Sequence, residues 1–520
     1  MATRRLLCNR CPASTMPSPM ATSGRSCGRC ASCSILKRLR RNLTPSTSSL
    51  RREEGQYQNL RRDSPMSTKY WADLDVNSVP VIKVPAPGPK SKDYHDRASK
   101  YMKGYSSQVR LFPVTFEKGH GVTLTDVDGN TYIDFSSGIY VTGLGHCHPK
   151  VTEAVQKYAG ILMNAHDFTT PIRTQLLEKI AEITIGEGDR RLNGVQFYDS
   201  GTAAVEAGLR MCRAATGKLE FISFHMDFHG KTMGAVGLAP LDSSQGLRAP
   251  GFFLAPRGNC YRCAFHQTYP QCNLMCVDYL RTVIKEETSG RVAGIVLEPI
   301  QGWGGSVVPP DGWIQGIRAL CDEFGILLMA DEVLTCMART GKMFAMEHWN
   351  TVPDVMTLGK GFGNGFPVTA MLVGEKYKEA IEKISASTSY GGNPMACAAA
   401  LASIEVIEEE HLCERSAHLG KILLKRMKEM EAIYPIIGEV RGLGCLLGIE
   451  LVKDKSTREP FEEAGRLVYQ KAFRKGLAWI PAGHILRMSP PMIMEDEVAL
   501  KGLAIIEESI YETQRELGYS

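Results

Sequence analysis

The stretch VMTLGKGFGNGFP, Val355 to Pro367, sets the reading of the whole chain. A short apolar run leads into one lysine, Lys360, enclosed by glycines. Such a run, without alternation, is the pattern of a strand buried on both faces. A glycine-rich turn after a strand commonly cradles phosphate with backbone N–H groups. A lysine in that turn is either a solvated loop residue or a covalent catalyst, and its surroundings decide between them.

The same pattern repeats on both sides. GVTLTDVDGNTYIDF, from Gly121, reads as two strands joined at Asp128-Gly129, a hairpin turn pair. After it come GVQFYDSG, LEFISFH, VAGIVLEP, ILLMADEV, DVMTLGKG and VTAMLVG, most of them continuous apolar runs. Helical patterns lie between several, as in TAAVEAGLRMCRAAT, where Val205, Leu209 and Cys212 share a face. This predicts an α/β domain on a parallel sheet. From about Pro394, helices lead to GCLLGIELV, HILRMSPP and a closing amphipathic helix, which predicts a smaller α+β domain. The expected division is a leader at 1–65, a segment at 66–128 that contributes to the small domain, a large domain at 129–385 with a cysteine-rich insert at 258–278, and the small domain at 386–520.

Composition narrows the function classes. The chain has 520 residues, 43% hydrophobic and 22% charged, which suits a soluble globular protein of two or more domains. No run approaches the roughly 18 apolar residues of a membrane span. The formal charge of +5 is unevenly spread, because residues 1–65 carry a surplus of ten positive charges and leave the body near −5. The body therefore has no nucleic-acid footprint. The leader is rich in Arg, Ser, Pro and Cys. It reads either as an organelle transit peptide, which implies mitochondria, or as extra sequence before a start at Met66, which implies the cytoplasm.

Polar residues fall at the ends of the apolar runs. Asp199-Ser200-Gly201-Thr202 follows one, Glu298 ends another, Asp331 ends a third and Lys360 follows a fourth. Ligands of open α/β sheets bind outside the carboxyl ends of the strands. A helix N-terminus opened by Ser-Gly-Thr suits a phosphate, and Thr202 also suits a helix cap. A lysine in a dry pocket has a lowered pKa and forms Schiff bases with aldehydes, and a buried aspartate holds a pyridinium nitrogen protonated. These needs meet in one cofactor, pyridoxal phosphate.

The chain resembles the class III aminotransferases, fold-type I pyridoxal-phosphate enzymes that include 4-aminobutyrate, ornithine and alanine–glyoxylate aminotransferases. The resemblance runs from about residue 110 to the C-terminus. It rests on DGNTYIDFSSG, GHCHP, DSGTAAVEA, FHGKT, EPIQGWGG, ADEV, RTGKMFAMEHW, PDVMTLGKGFGNGFP, YGGNPMACAAALA, VRGLGCLLGIEL and LRMSPP, in that order. It implies a mostly parallel seven-stranded sheet, a homodimer with shared active sites, and a small amine and a 2-oxo acid as substrates. It makes Lys360 the Schiff-base lysine and proton shuttle, with Asp331 on the pyridine nitrogen. Val333 would lie under the ring and Phe228 on its other face. Ser200, Gly201 and Thr202 would hold the phosphate, and Gln301 would reach the phenolic oxygen beside Glu298, unless Glu298 is only a backbone partner. Ser389 would serve the other subunit's phosphate. Arg487 would take the substrate α-carboxylate, unless it pairs with a resident acid. His146 and His148 read as structural, and His229 is open between the two kinds of role.

Departures from the family pattern bear on substrate. Trp303 stands where the aminobutyrate and ornithine enzymes carry a glutamate that masks the arginine, so Arg487 is expected to be exposed and free. Lys231 replaces an arginine for a distal carboxylate. Leu334, Cys336 and Ala338 narrow the loop after Asp331. Pyruvate or glyoxylate is therefore the expected acceptor over 2-oxoglutarate. The alternatives are a 4-aminobutyrate–2-oxoglutarate exchange, decarboxylating, racemase or aminomutase chemistry on the same scaffold, and a non-catalytic metal or redox sensor. The last rests on Cys260, Cys263, Cys272 and Cys276. Their C-x2-C and C-x3-C pairs have spacings that hold zinc or an iron–sulfur cluster. The plainer reading is a surface excursion with free thiols or a disulfide.

Overall fold

The computed structural model describes residues 71, 72, 74–239 and 249–519, so the leader lies outside the described residues. The hairpin forms as expected: β1 (Phe116–His120), β2 (Thr123–Asp126) and β3 (Thr131–Asp134) are antiparallel neighbours. Gly129 closes the β2–β3 turn at φ +88°, a conformation in which a side chain is strained. A short later strand, β13 (Leu477–Ala478), runs parallel to β3.

Seven strands make the large sheet: β4 (Leu192–Tyr198), β5 (Glu220–Phe224), β6 (Phe252–Ala255), β7 (Val292–Leu297), β8 (Leu327–Glu332), β9 (Val355–Leu358) and β10 (Thr369–Gly374). Their order is β4-β10-β9-β8-β7-β5-β6. β10 is antiparallel to both neighbours, and all other pairings are parallel. Every strand except β10 thus points the same way, and one edge of the sheet gathers their carboxyl ends. All residues of β7 to β10 are buried, the reason these runs show no alternation. The seventh strand, β6, is a four-residue edge strand that the sequence reading did not find.

Burial extends to acids. Glu332 is fully buried and accepts hydrogen bonds from Ala345 N, Met346 N and Thr335 Oγ1, each at 2.8 Å. Burial still outweighs these donors and raises its pKa to about 7. The helix Gly201–Thr216 packs on the sheet through Val205, Leu209 and Cys212, as the pattern predicts, and ends at Gly217 with φ +67°. A Cβ at Gly208 would stand 2.6 Å from Met329 Cε, so this helix lies close on the sheet because the position is glycine.

The C-terminal region holds a second sheet, β11 (Ile437–Leu443), β12 (Leu446–Leu451) and β14 (Ile485–Met488), antiparallel throughout. One hydrophobic cluster includes Met356 and Leu358 of the large sheet and Ile437 and Leu447 of the small one. Among the described residues no helix is long and apolar enough to cross a membrane.

Candidate active site

Lys360 follows β9 in the left-handed region, at φ +46°. Such a conformation is uncommon for a residue other than glycine and costs about 1–3 kcal/mol. The turn after it is closed by Phe362 N donating to Gly359 O at 2.9 Å and Gly363 N donating to Lys360 O at 3.1 Å. Burial lowers the pKa of the Lys360 amine, against the opposing pull of Asp331 and Glu298.

Asp331 lies on β8, opposite Thr357 of β9. That register explains one of its bonds: Thr357 Oγ1 donates to Asp331 Oδ1 at 2.9 Å, and Val333 N donates to the same oxygen at 3.1 Å. Asp331 Oδ2 lies 2.8 Å from His229 Nδ1. Burial alone would raise the Asp331 pKa, but His229 and these donors hold it below the usual value. His229 is fully buried between Asp331 and Asp227, with Nε2 3.7 Å from Asp227 and 3.1 Å from Ser223 Oγ. Burial would lower the imidazole pKa, yet the two aspartates outweigh it and raise it to about 10. His229 thus carries charge at neutral pH and pins the Asp331 carboxylate. The sequence left its role open because Asp331, 102 positions away, reaches it only through the fold.

Ser200-Gly201-Thr202 open the helix Gly201–Thr216, and no side chain caps that N-terminus. Its first N–H groups are therefore available to an anion. A Cβ at Gly201 would stand 2.9 Å from Val333 Cγ1, and one at Gly359 would stand 3.0 Å from the same atom. Val333 thus lies between the helix opening and the Lys360 turn. The Thr202 hydroxyl is shared with Thr232 Oγ1 at 2.6 Å, in a chain that continues to Glu206 Oε1 at 2.6 Å.

Gln301 and Glu298 are both engaged with protein groups. Gln301 Nε2 donates to Asp227 Oδ1 at 2.6 Å and to His225 O at 2.8 Å, which braces Asp227. Glu298 accepts from Phe228 N and from Gly302 N, both at 2.8 Å. These bonds join Phe228 to the loop that carries Trp303. Burial, with Asp227 nearby, raises its pKa to about 7.

Arg487 lies on β14 and is only 3% exposed, not open as expected. Its guanidinium stacks on Trp303, with Cζ 4.4 Å from the ring centroid. Trp303 in turn leans toward Phe228, with centroids 6.3 Å apart. No carboxylate pairs with Arg487 among the described residues; Nη2 donates at 3.4 Å to Ile480 O and Nε has no partner. Lys231 is exposed. Ser389 is exposed too, and its carbonyl accepts from Asn164 Nδ2 at 2.9 Å. His146 bonds Asp134 at 2.7 Å, the structural role expected of it.

The sequence pattern of the family described as "Aminotransferase class-III" matches residues 104–510. The chain belongs to this family. A 5-aminovalerate aminotransferase of Pseudomonas putida is 37% identical over 415 residues, 78% of this chain and 95% of that protein. An alanine/serine racemase of Pyrococcus horikoshii is 33% identical over 457 residues, 85% of this chain and 94% of that one. Among solved structures, an amine transaminase from an uncultivated Pseudomonas species in its PLP-bound form superposes with a TM-score of 0.73 at 28% identity, covering 79% of this chain and 98% of that one.

This class III aminotransferase fits pyridoxal phosphate. The uncapped helix N-terminus suits the phosphate, the Gly201 and Gly359 gaps leave Val333 as an apolar floor, and Asp331 is held as a carboxylate. Lys360 has the depressed pKa that a Schiff-base lysine needs.

The cysteine insert does not fit the metal expectation. Cys260, Cys263, Cys272 and Cys276 are free thiols lining a small cleft. Among the described residues no three His, Cys, Asp or Glu side chains are grouped to hold a metal ion. The loop is ordered by its own turns, His266 N to Cys263 O at 3.1 Å and Cys272 N to Thr268 O at 2.9 Å. Cys276 sits on the helix Met275–Thr282. The thiols line walls of a cleft and do not close on a point. Burial and the neighbouring thiols raise Cys276 to about 11, so it stays protonated at neutral pH.

Proposed function

We propose that this class III aminotransferase moves an amino group from an α-amino acid or an ω-amine to a 2-oxo acid by a ping-pong mechanism, with pyruvate or glyoxylate favoured over 2-oxoglutarate. The observation that carries the substrate reading is Arg487: a buried guanidinium with an unpartnered Nε and, among the described residues, no resident carboxylate. A substrate α-carboxylate supplies the missing partner. The exposed Lys231 is a weaker receptor for a second carboxylate, because a lysine lacks the bidentate fork.

Pyridoxal phosphate, when bound, supplies the electron sink for bond breaking at the carbon that bears the amine. The chain does the rest. The helix N-terminus at Gly201 anchors, and Val333 and Phe228 confine. Asp331, fixed by His229, Thr357 and Val333 N, presents a carboxylate of constant charge. Lys360 Nζ takes the substrate proton and returns it, and its lowered pKa favours the neutral, basic form. The partner subunit's copy of the Ser389 segment completes the phosphate end in a homodimer.

The test is a purified-protein screen of alanine, 4-aminobutyrate and simple amines against pyruvate, glyoxylate and 2-oxoglutarate. The reading expects the highest kcat/KM with a monocarboxylate acceptor and parallel double-reciprocal plots. A clear preference for 4-aminobutyrate with 2-oxoglutarate overturns the substrate assignment. The relative named as an alanine/serine racemase supports a second reading, since racemisation needs only a returned proton. Loss of optical activity from L-alanine without any 2-oxo acid is its measurement.

A further inference from the structure

We infer that Tyr140 is a substrate-binding residue, whose phenol donates a hydrogen bond to the carboxylate that Arg487 pairs with. Tyr140 is 4% exposed, and its O–H proton finds no acceptor: the Arg487 guanidinium stands within reach of the hydroxyl but is itself only a donor. A buried phenol whose proton lacks an acceptor is rare in a folded protein, because it forfeits its bond to water. The charged groups around it are those of the cleft: Arg487, Arg339 and Glu298. The Arg487 guanidinium lies 5.8 Å from the Tyr140 ring centroid and 4.4 Å from that of Trp303. Arg487 Nε is likewise unpartnered. Two buried donors without acceptors therefore neighbour one another, and an anionic oxygen bound between them satisfies both.

The backbone is built to hold the phenol there. Ser137, Gly138, Ile139 and Tyr140 all have positive φ, at +47°, +59°, +67° and +65°. A β-branched residue in that region is a genuine outlier, and strain of this kind persists only where neighbours impose it. The neighbours are identifiable. Asp134 Oδ1 accepts from Ser136 N at 2.8 Å and Ser137 N at 3.0 Å. Ser137 Oγ donates to Ser489 O at 2.6 Å, and Ser489 Oγ donates to Ser136 O at 2.8 Å. Ser489 lies two residues beyond Arg487, so the strained turn is clamped to the chain that carries the guanidinium. Arg339 is turned partly elsewhere, its Nη1 donating to Pro490 O at 2.7 Å and Cys445 O at 3.3 Å.

The inference deepens the proposed function and rests on its assignment of Arg487 to a substrate carboxylate. The test is Tyr140→Phe in the holoenzyme, which keeps the ring and removes the donor. Half-reactions with alanine and with an aryl-substituted primary amine lacking a carboxylate are compared, together with calorimetric binding of propionate. The expected result is a KM for alanine and a Kd for propionate raised about tenfold or more, with kcat little changed and the carboxylate-free amine unaffected. An equal effect on both amines, or no effect on propionate, overturns the role of Tyr140. Propionate binding that Arg487→Leu leaves unchanged in the otherwise native protein instead overturns the carboxylate reading of Arg487 itself.

Discussion

At the scale of single residues the site depends on two charges held in fixed states. Lys360→Ala removes the group that moves the proton in the proposed reaction, so turnover is expected to vanish while the helix N-terminus still binds pyridoxal phosphate, measurable by equilibrium dialysis. Asp331→Ala is expected to lower kcat by about 10²–10³-fold, the usual cost of one preorganised electrostatic partner. His229 gives a prediction with a sign. Its folded pKa, about 10, lies above the ordinary 6.5, so its charge stabilises the fold fully below pH 6.5 and that contribution is lost as pH rises through 10. His229→Gln can keep a hydrogen bond but has no charge. It should cost about 1–3 kcal/mol near neutral pH, and the difference in Tm from the native protein should shrink between pH 7 and 10. A constant difference across that range contradicts a charged His229. The positions of Lys360 and Asp331 were legible because adjacent residues mark them, a glycine turn for one and a strand end for the other. The hydrogen bonds of Gln301 were not. Its motif is intact, but the direction of its amide is set by Asp227, 74 positions away along the chain.

Elements explain why those residues meet. Six strands were legible as apolar runs because both faces of a parallel sheet are covered, while β6 is too short and too marginal to stand out. The parallel direction then delivers Ser200, Glu298, Asp331 and Lys360 to one edge without any further design. The helix Gly201–Thr216 adds the anion site, and its first residue tests that claim. Alanine favours helix more than glycine does, by about 1 kcal/mol, so propensity alone predicts that Gly201→Ala stabilises the protein. The space predicts the opposite for function, since the new Cβ would stand 2.9 Å from Val333 Cγ1. Either Val333 or the helix opening must shift. The expected outcome is an apoprotein Tm no higher than that of the native protein, with pyridoxal phosphate affinity reduced about tenfold. Equal affinities in both proteins would show that Val333 and the helix opening do not share one packed boundary.

The whole molecule raises the question of what completes the site. Ser389 is exposed, and Asn164 ties its carbonyl to a neighbouring segment that displays Ile161, Met163 and Phe168, the last 81% exposed. Tyr390 adds a further exposed ring beside it. Large apolar side chains clustered around a hydroxyl are costly to leave in water and suit an isologous contact, in which the same patch serves both copies. In the proposed homodimer, this patch would bring each Ser389 to the other subunit. Phe168→Glu should therefore shift sedimentation toward the monomer and weaken pyridoxal phosphate retention together, although Phe168 is not among the residues assigned to that cofactor. Complementation separates sharing from simple stability. Ser389→Asp sets a carboxylate against the phosphate and should inactivate, as Lys360→Ala does. Mixed dimers of the two pair an intact Lys360 from one subunit with an intact Ser389 from the other, so one of their two sites is whole. Activity recovered on mixing, after verified subunit exchange, is the expected result. Silence after exchange would place Ser389 in its own subunit's site, and the dimer would then be an assembly of independent centres.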